Sequence, residues 1–189
     1  MISKQQAIKI LKNGGIGVLP TDTIYGLLGQ ALDKSVVQRI YKVRRRSPAK
    51  PLIILISKVS DLKLFGIKLA PAELEFLNKY WPGALSVILP CFSPKFKYLH
   101  RGTKTLAFRL PNKKSVLDII KRTGPLVAPS ANPEREKPAD NLPEAAGYFG
   151  NAVDFYYGRG NLTGQASTLV KLENGKVEVL RQGAMKIKN

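Results

Sequence analysis

Residues 17–28 read Gly17-Val18-Leu19-Pro20-Thr21-Asp22-Thr23-Ile24-Tyr25-Gly26-Leu27-Leu28. The apolar run Ile16–Leu19 predicts a short strand, and Pro20 should end its pairing because proline lacks a backbone donor. Hydroxyls and a carboxylate that follow a buried strand directly are well placed to hold a small polar ligand. The same residues are also typical of an ordinary turn, in which Asp22 or Thr23 caps the element that follows.

The composition limits the class of protein. The chain has 189 residues, 44% of them hydrophobic, which fits one domain over residues 1–189 with an ordinary core. No apolar run approaches the roughly 18 residues that span a bilayer, and the first residues do not resemble a signal peptide. With Cys91 as the single cysteine and His100 as the single histidine, an internal disulfide and a Cys/His metal site are excluded. We expect a cytoplasmic protein with no membrane partner and no metal site of its own.

The net charge is unusual for a chain of this size. Lysine and arginine number 31 against 13 acidic residues, which gives +18. Such a surface attracts polyanions. The basic residues are spread along the whole chain, however, as they would be in a lysine-rich proteome. The charge alone is therefore only a weak argument for nucleic acid or nucleotides as partners.

Alternating apolar segments predict an α/β domain with a mixed sheet. Ser3 is predicted to cap the first helix, with Ala7, Ile8 and Leu11 on one face, and Ser35 is predicted to cap the second. The other predicted helices are Leu62–Phe65, Pro71–Tyr80, Ser115–Arg122 and Pro143–Phe149. The predicted strands after the first are Leu52–Ile56, Ala84–Leu89, Thr105–Leu110, Leu126–Ala128, Val153–Tyr156, Ser167–Leu172 and Lys176–Leu180. Lys95–Lys104 and Pro133–Asn141 are predicted loops, and Asn174-Gly175 predicts a hairpin.

Seven stretches, in order, resemble one family. They are Pro20–Leu27, Arg44-Arg45-Arg46 with Lys50-Pro51-Leu52, Trp81-Pro82-Gly83, Thr105–Pro111, Ser130-Ala131-Asn132, Gln165–Val170 and Leu180–Ala184. Each motif is short, but seven in sequence along almost the whole chain resemble the YrdC/TsaC family, the threonylcarbamoyl-AMP synthases. The length resembles the short form of that family.

The resemblance implies a fold and a reaction. The fold would be one YrdC-like domain whose curved mixed sheet, packed against helices, forms a basic concave cleft. The reaction would join L-threonine, bicarbonate and ATP into threonylcarbamoyl-AMP and pyrophosphate, with magnesium carried by the ATP. Its product would pass to tRNA-modification proteins that make threonylcarbamoyladenosine, so tRNA or double-stranded RNA is a further candidate partner.

The resemblance also assigns residues. Arg44, Arg46 and Lys50 would be catalytic, because the reacting groups are anionic and need fixed cations rather than a protein nucleophile. Threonine or its carbamate would bind to Thr21, Arg109, Ser130 and Ser167. ATP would bind to Arg46, Lys50, Thr105, Asn132 and Arg181. Each residue also has an ordinary structural explanation, such as a cation at a helix end, a strand or turn residue, or an ion-pair partner.

Two departures from the family pattern concern the nucleotide. Pro133-Glu134-Arg135-Glu136-Lys137 replaces a serine or threonine followed by glycine, and Asp140 stands where a threonine contacts ATP in the family. A carboxylate near phosphate repels it unless a magnesium ion intervenes. Two alternatives therefore stay open: a relative that uses carbamoyl-adenylate chemistry in another pathway, and a non-catalytic or divergent protein that binds RNA or nucleotides.

Overall fold

The stretch 17–30 folds as a β-hairpin. In the computed structural model, which describes residues 2–173 and 175–187, β1 (Gly17–Pro20) pairs antiparallel with β2 (Tyr25–Gln30). The turn is closed by Thr21, whose backbone N–H and hydroxyl both donate to the carbonyl of Ile24 at 3.1 and 2.7 Å. The predicted turn and the strand end at Pro20 are confirmed. The proposed capping is wrong, because the turn leads into a strand, which the sequence pattern did not predict.

Nine strands form one mixed sheet among the described residues, in the order β7-β1-β2-β6-β3-β5-β4-β8-β9. The remaining strands are β3 (Ile53–Leu55), β4 (Leu85–Pro90), β5 (Thr105–Arg109), β6 (Leu126–Val127), β7 (Phe155–Tyr156), β8 (Thr168–Glu173) and β9 (Lys176–Arg181). The pairs β1/β7, β3/β5 and β4/β8 are parallel, and the other neighbours are antiparallel. The predicted mixed α/β class is confirmed, while the basic cleft stays a prediction.

Helices cover the sheet. They are α1 (Lys4–Lys12), α2 (Lys34–Val43), α3 (Pro71–Tyr80), α4 (Lys97–His100), α5 (Lys114–Thr123) and α6 (Leu142–Phe149), with 3₁₀ helices at Val59–Phe65, Pro94–Phe96 and Gly150–Ala152. Ser3 caps α1 with a capping box, as predicted. The predicted cap of α2 is wrong: Asp33, not Ser35, accepts the backbone N–H groups of Ser35 and Val36. Among the described residues, no helix has the length and apolarity to cross a membrane.

The two faces of the sheet bury different cores because neighbouring strand residues point to opposite faces. On one face, Val18 and Ile54 pack in the larger cluster with Val36 and Ile40 of α2. The opposite face carries a second cluster, built from Leu19, Leu28, Leu55 and Leu126 with apolar residues of α1 and α5. Strands buried on both faces explain the continuous apolar runs in the sequence.

Two further predictions need correction. Residues 95–104 are not only a loop: Phe96 and Leu99 are buried and anchor the 3₁₀ helix Pro94–Phe96 and helix α4. The strand predicted at 52–56 is shorter, at Ile53–Leu55, although its flanking residues are buried as well. Strands β8 and β9 pair antiparallel as expected for a hairpin, but Asn174 lies outside the described residues.

Candidate active site

Strand ends and loops from distant parts of the chain surround a cavity of about 220 Å³. Of the predicted site residues, Thr21, Arg44, Arg46, Arg109, Ser130, Ser167 and Arg181 line it, together with Thr23, Tyr25 and Pro138. Lys50, Thr105 and Asn132 are not among its lining residues. A larger cavity of about 730 Å³ beside Val59–Phe65 is lined mainly by apolar side chains and lysines, without the convergent hydroxyls and arginines of the smaller one. The polar cavity is therefore the candidate site.

Arg109 ends β5 and is 4% exposed. Its guanidinium donates to the hydroxyls of Thr23 at 3.0 Å and Thr21 at 3.3 Å, and it forms an ion pair with Asp22 at 3.3 Å. Burial lowers the pKa of Arg109, and the Asp22 carboxylate opposes that shift. The loop of the β-hairpin is thus folded around a buried cation at the wall of the cavity.

Arg44 follows α2 and is also buried. Its side chain donates to the carbonyl and Oδ1 of Asn132 at 2.8 and 3.1 Å and to the hydroxyl of Ser130 at 3.2 Å. Burial, followed by repulsion from Arg46, lowers the pKa of Arg44 to about 10. Its Nη1 has no hydrogen-bond partner within the described part of the chain. Arg44 therefore fixes the Ser130–Asn132 turn at the cavity wall.

Ser167 and Arg181 also line the cavity. The Ser167 hydroxyl shares a hydrogen bond of 2.8 Å with Ser86 of β4, and Arg181 donates to the Ser167 carbonyl at 2.8 Å. Gly183 allows this approach, because a Cβ there would collide with the carbonyls of Ala166 and Ser167. The end of β9 is thereby held against the start of β8 beside the cavity.

The basic loop at residues 44–50 follows α2, and its cations Arg46 and Lys50 have different partners. Arg46 lines the cavity and donates to the carbonyls of Lys50 and Pro51 at 3.3 and 3.2 Å. Lys50 instead forms an ion pair of 2.5 Å with Glu134. Arg46 thus shares a cavity with the loop of Thr21 and Thr23, whereas Lys50 lies outside its lining.

The other two predicted nucleotide residues also lie outside the lining. Thr105 begins β5, and its hydroxyl donates to that of Thr103 at 3.2 Å; four residues separate it from Arg109, about 13 Å along an extended strand. The amide of Asn132 donates to the carbonyls of Pro133 and Glu136, both at 2.7 Å. Their contacts with ATP stay predictions.

Three further residues contact the predicted site residues or their loop. Thr23 binds Arg109, the ammonium of Lys113 donates to the Thr21 carbonyl at 3.0 Å, and Asp22 accepts the backbone N–H of Asn112 at 3.1 Å. The hairpin loop itself was the signal for Thr23 and Asp22. Lys113 follows Asn112 in a polar segment, and no sequence pattern assigned it to the site.

Comparison with known proteins identifies the family. Residues 9–183 match the Sua5/YciO/YrdC family model, whose description is "Telomere recombination". The chain belongs to the Sua5/YciO/YrdC family. Threonylcarbamoyl-AMP synthase of Pyrococcus abyssi is 31% identical over 182 residues, which cover 95% of this chain and 53% of that protein. The synthase of Bacillus subtilis is 38% identical over 134 residues, which cover 67% of this chain and 37% of that protein. The matched part of this chain thus spans about half or less of the length of these two relatives.

A solved structure agrees with the family assignment. The crystal structure of Pyrococcus abyssi Sua5 complexed with L-threonine superposes with a TM-score of 0.87 at 28% identity, covering 97% of this chain and 55% of that one. The α/β fold of this chain is therefore the fold of the Sua5 domain.

Proposed function

We propose that this protein is an L-threonylcarbamoyl-AMP synthase, a nucleotidyltransferase that makes threonylcarbamoyl-AMP and pyrophosphate from L-threonine, bicarbonate and ATP. One observation carries the proposal: in a Sua5/YciO/YrdC family member, the buried residues Arg109 and Arg44 line one cavity with the hydroxyl-bearing residues Thr21, Ser130 and Ser167. Two relatives that carry this enzyme name and the threonine-bound Sua5 structure support it.

The chemistry of this reaction fits a cavity lined by arginines and hydroxyl groups. The amine of threonine and bicarbonate form a carbamate with loss of water, and the carbamate oxygen then attacks the α-phosphate while pyrophosphate leaves. The carbamate, ATP and the leaving pyrophosphate are all anionic, so fixed cations and hydrogen-bond donors lower the barrier most. We assign the threonine carboxylate to Arg109 and its other polar groups to Thr21, Ser130 and Ser167.

The nucleotide side of the proposal uses the basic loop. Arg44 and Arg46 would act on the phosphates, with Lys50, Thr105, Asn132 and Arg181 as further ATP contacts and magnesium arriving with ATP. Arginine suits bidentate phosphate contacts, and lysine supplies a mobile point charge. Proteins that accept threonylcarbamoyl-AMP for tRNA modification complete the proposal, with tRNA as a candidate ligand, a cytoplasmic location and a single domain over residues 1–189.

The test is pyrophosphate release by the purified chain. We expect pyrophosphate to form from ATP only when both L-threonine and bicarbonate are present, because the carbamate is the nucleophile. L-serine and omission of bicarbonate are the matched controls. ATP turnover at the same rate without threonine would overturn the synthase; tight ATP binding with no turnover would favour the non-catalytic alternative.

A further inference from the structure

Glu134 holds the basic loop at three points. Its backbone N–H donates to the Arg44 carbonyl at 2.8 Å. One carboxylate oxygen accepts the backbone N–H of Ser47 at 2.6 Å, and the other accepts the ammonium of Lys50 at 2.5 Å. The Glu134 side chain is 17% exposed, whereas that of Lys50 is 61% exposed. One acidic side chain thus engages two donors of the loop that also carries Arg46.

The turn that carries Glu134 is fixed by other residues. Asn132 donates to the carbonyls of Pro133 and Glu136 and accepts from Arg44, so its amide ties both ends of the turn to the basic loop. Arg135 has φ +77°, a left-handed conformation that a non-glycine residue adopts only when its surroundings impose it. The carboxylate is therefore presented by the fold of this turn.

The donors that Glu134 uses are of the kind that also binds phosphate. A backbone N–H and an ammonium together bind an anionic oxygen through short charge-assisted hydrogen bonds, whether the oxygen belongs to a carboxylate or to a phosphate. Hydrogen bonds from Lys50 and then Ser47 lower the pKa of Glu134 to about 2, so the carboxylate stays charged throughout the neutral range. Protonation of the Glu134 carboxylate therefore cannot release the Ser47 and Lys50 donors at neutral pH.

We propose that Glu134 is an internal anion which occupies the phosphate donors of the 44–50 loop and sets the affinity for ATP, because nucleotide phosphate must displace its carboxylate from Ser47 and Lys50. The inference rests on the proposed function for the identity of the ligand. It makes Glu134 a determinant of nucleotide affinity that leaves threonine, held at Arg109, unaffected.

Glu134→Gln tests this most directly. The substitution keeps the size of the side chain and the backbone bond to Arg44 but removes the competing charge. We expect E134Q to bind magnesium–ATP about fivefold more tightly in calorimetric titrations, a change of about 1 kcal/mol. L-threonine should bind both proteins equally. Glu136→Gln is the matched control, because it removes one negative charge from an exposed residue of the same turn and should leave ATP binding unchanged.

The outcomes are exclusive. Equal or weaker ATP binding by E134Q would overturn the proposal, since the carboxylate would then organise the loop rather than compete for it. Absence of ATP binding in both proteins would overturn it as well. Thermal melting checks the fold, and Glu134→Ser provides a second charge-removing variant with the same expected direction. Pyrophosphate release is measured separately: its failure would overturn the synthase, whereas tighter ATP binding by E134Q would still support the internal anion.

Discussion

Arg109 is the residue on which the candidate site depends most. It is fixed by Thr21, Thr23 and Asp22, yet its Nε has no hydrogen-bond partner within the described residues. A buried cation whose hydrogen bonds are incomplete costs free energy unless a ligand completes them. Under the proposed function, the carboxylate of threonine is that ligand.

Arg109→Lys should therefore separate threonine binding from ATP binding. Lysine keeps the charge beside Asp22, which protects the fold, but it loses the planar fork that binds a carboxylate bidentately. We expect threonine affinity to fall about tenfold or more, the loss of roughly 1.5–3 kcal/mol of charge-assisted bonding, while ATP affinity stays nearly unchanged. Calorimetry with each ligand measures both.

The control for this variant is Arg122→Lys, which changes an exposed arginine on α5 and should alter neither affinity. Equal losses for threonine and ATP would argue against the assignment, as would full threonine affinity in a folded R109K protein.

At the scale of an element, the basic loop is shaped by α2. The Lys50 carbonyl accepts the hydroxyl of Tyr41 at 2.8 Å and the Nε of Arg46 at 3.3 Å. The Tyr41 ring in turn lies 4.1 Å from the guanidinium of Arg101. Tyr41 thus supports the same carbonyl that orients Arg46, without lining the cavity itself.

Tyr41→Phe is expected to loosen this loop while leaving the ring and its contact with Arg101 in place. Losing one hydrogen bond costs about 1 kcal/mol, so we expect kcat/KM for ATP to fall about fivefold. Tyr98→Phe is the matched control. The Tyr98 hydroxyl donates the same kind of hydrogen bond to the Ala31 carbonyl, over 3.0 Å, and Tyr98 is not among the residues that line the cavity. Both variants should lose similar stability in denaturant titrations. Equal kinetic losses in the two would contradict a positioning role for Tyr41.

The elements show where sequence patterns suffice and where they fail. Apolar runs placed most strands and helices because burial on both faces leaves a strong signal. Strand β2 was missed because Gly26 and Gly29 interrupt its pattern, yet a Cβ at Gly29 would lie 2.5 Å from Val36, so the glycine is needed for packing against α2. The Glu134–Lys50 pair joins residues 84 apart, and local patterns carry no information on such pairs.

At the scale of the whole molecule, the site brings together distant parts of the chain. The cavity takes residues from the hairpin near the start of the chain and from β9 near its end. Asp154 is one of the ties: its carboxylate accepts the backbone N–H of Ile16 at 2.7 Å and binds Arg39 at 2.6 and 3.0 Å. It joins the segment before β7 to α2 and to the residue that precedes β1.

Asp154→Asn should weaken the whole fold in a pH-dependent way. Burial alone would raise the pKa of Asp154, but the hydrogen bonds from Arg39 and Ile16 lower it below its usual value. A carboxylate with a lowered pKa contributes stability above the unfolded pKa, about 3.9, and loses that contribution as the pH falls through the folded value. We expect D154N to be about 1–2 kcal/mol less stable at pH 7, with the difference shrinking below about pH 4.

Asp118→Asn is the matched control, because the side chains of Asp118 and Asp154 are both 35% exposed, but Asp118 has a single contact of 3.2 Å with Lys4, worth about 0–1 kcal/mol. Urea titrations of the three proteins between pH 3 and 7 would measure this, and a D154N loss no larger than that of D118N at pH 7 would show that Asp154 does not tie the segment before β7 to α2 and to the start of β1.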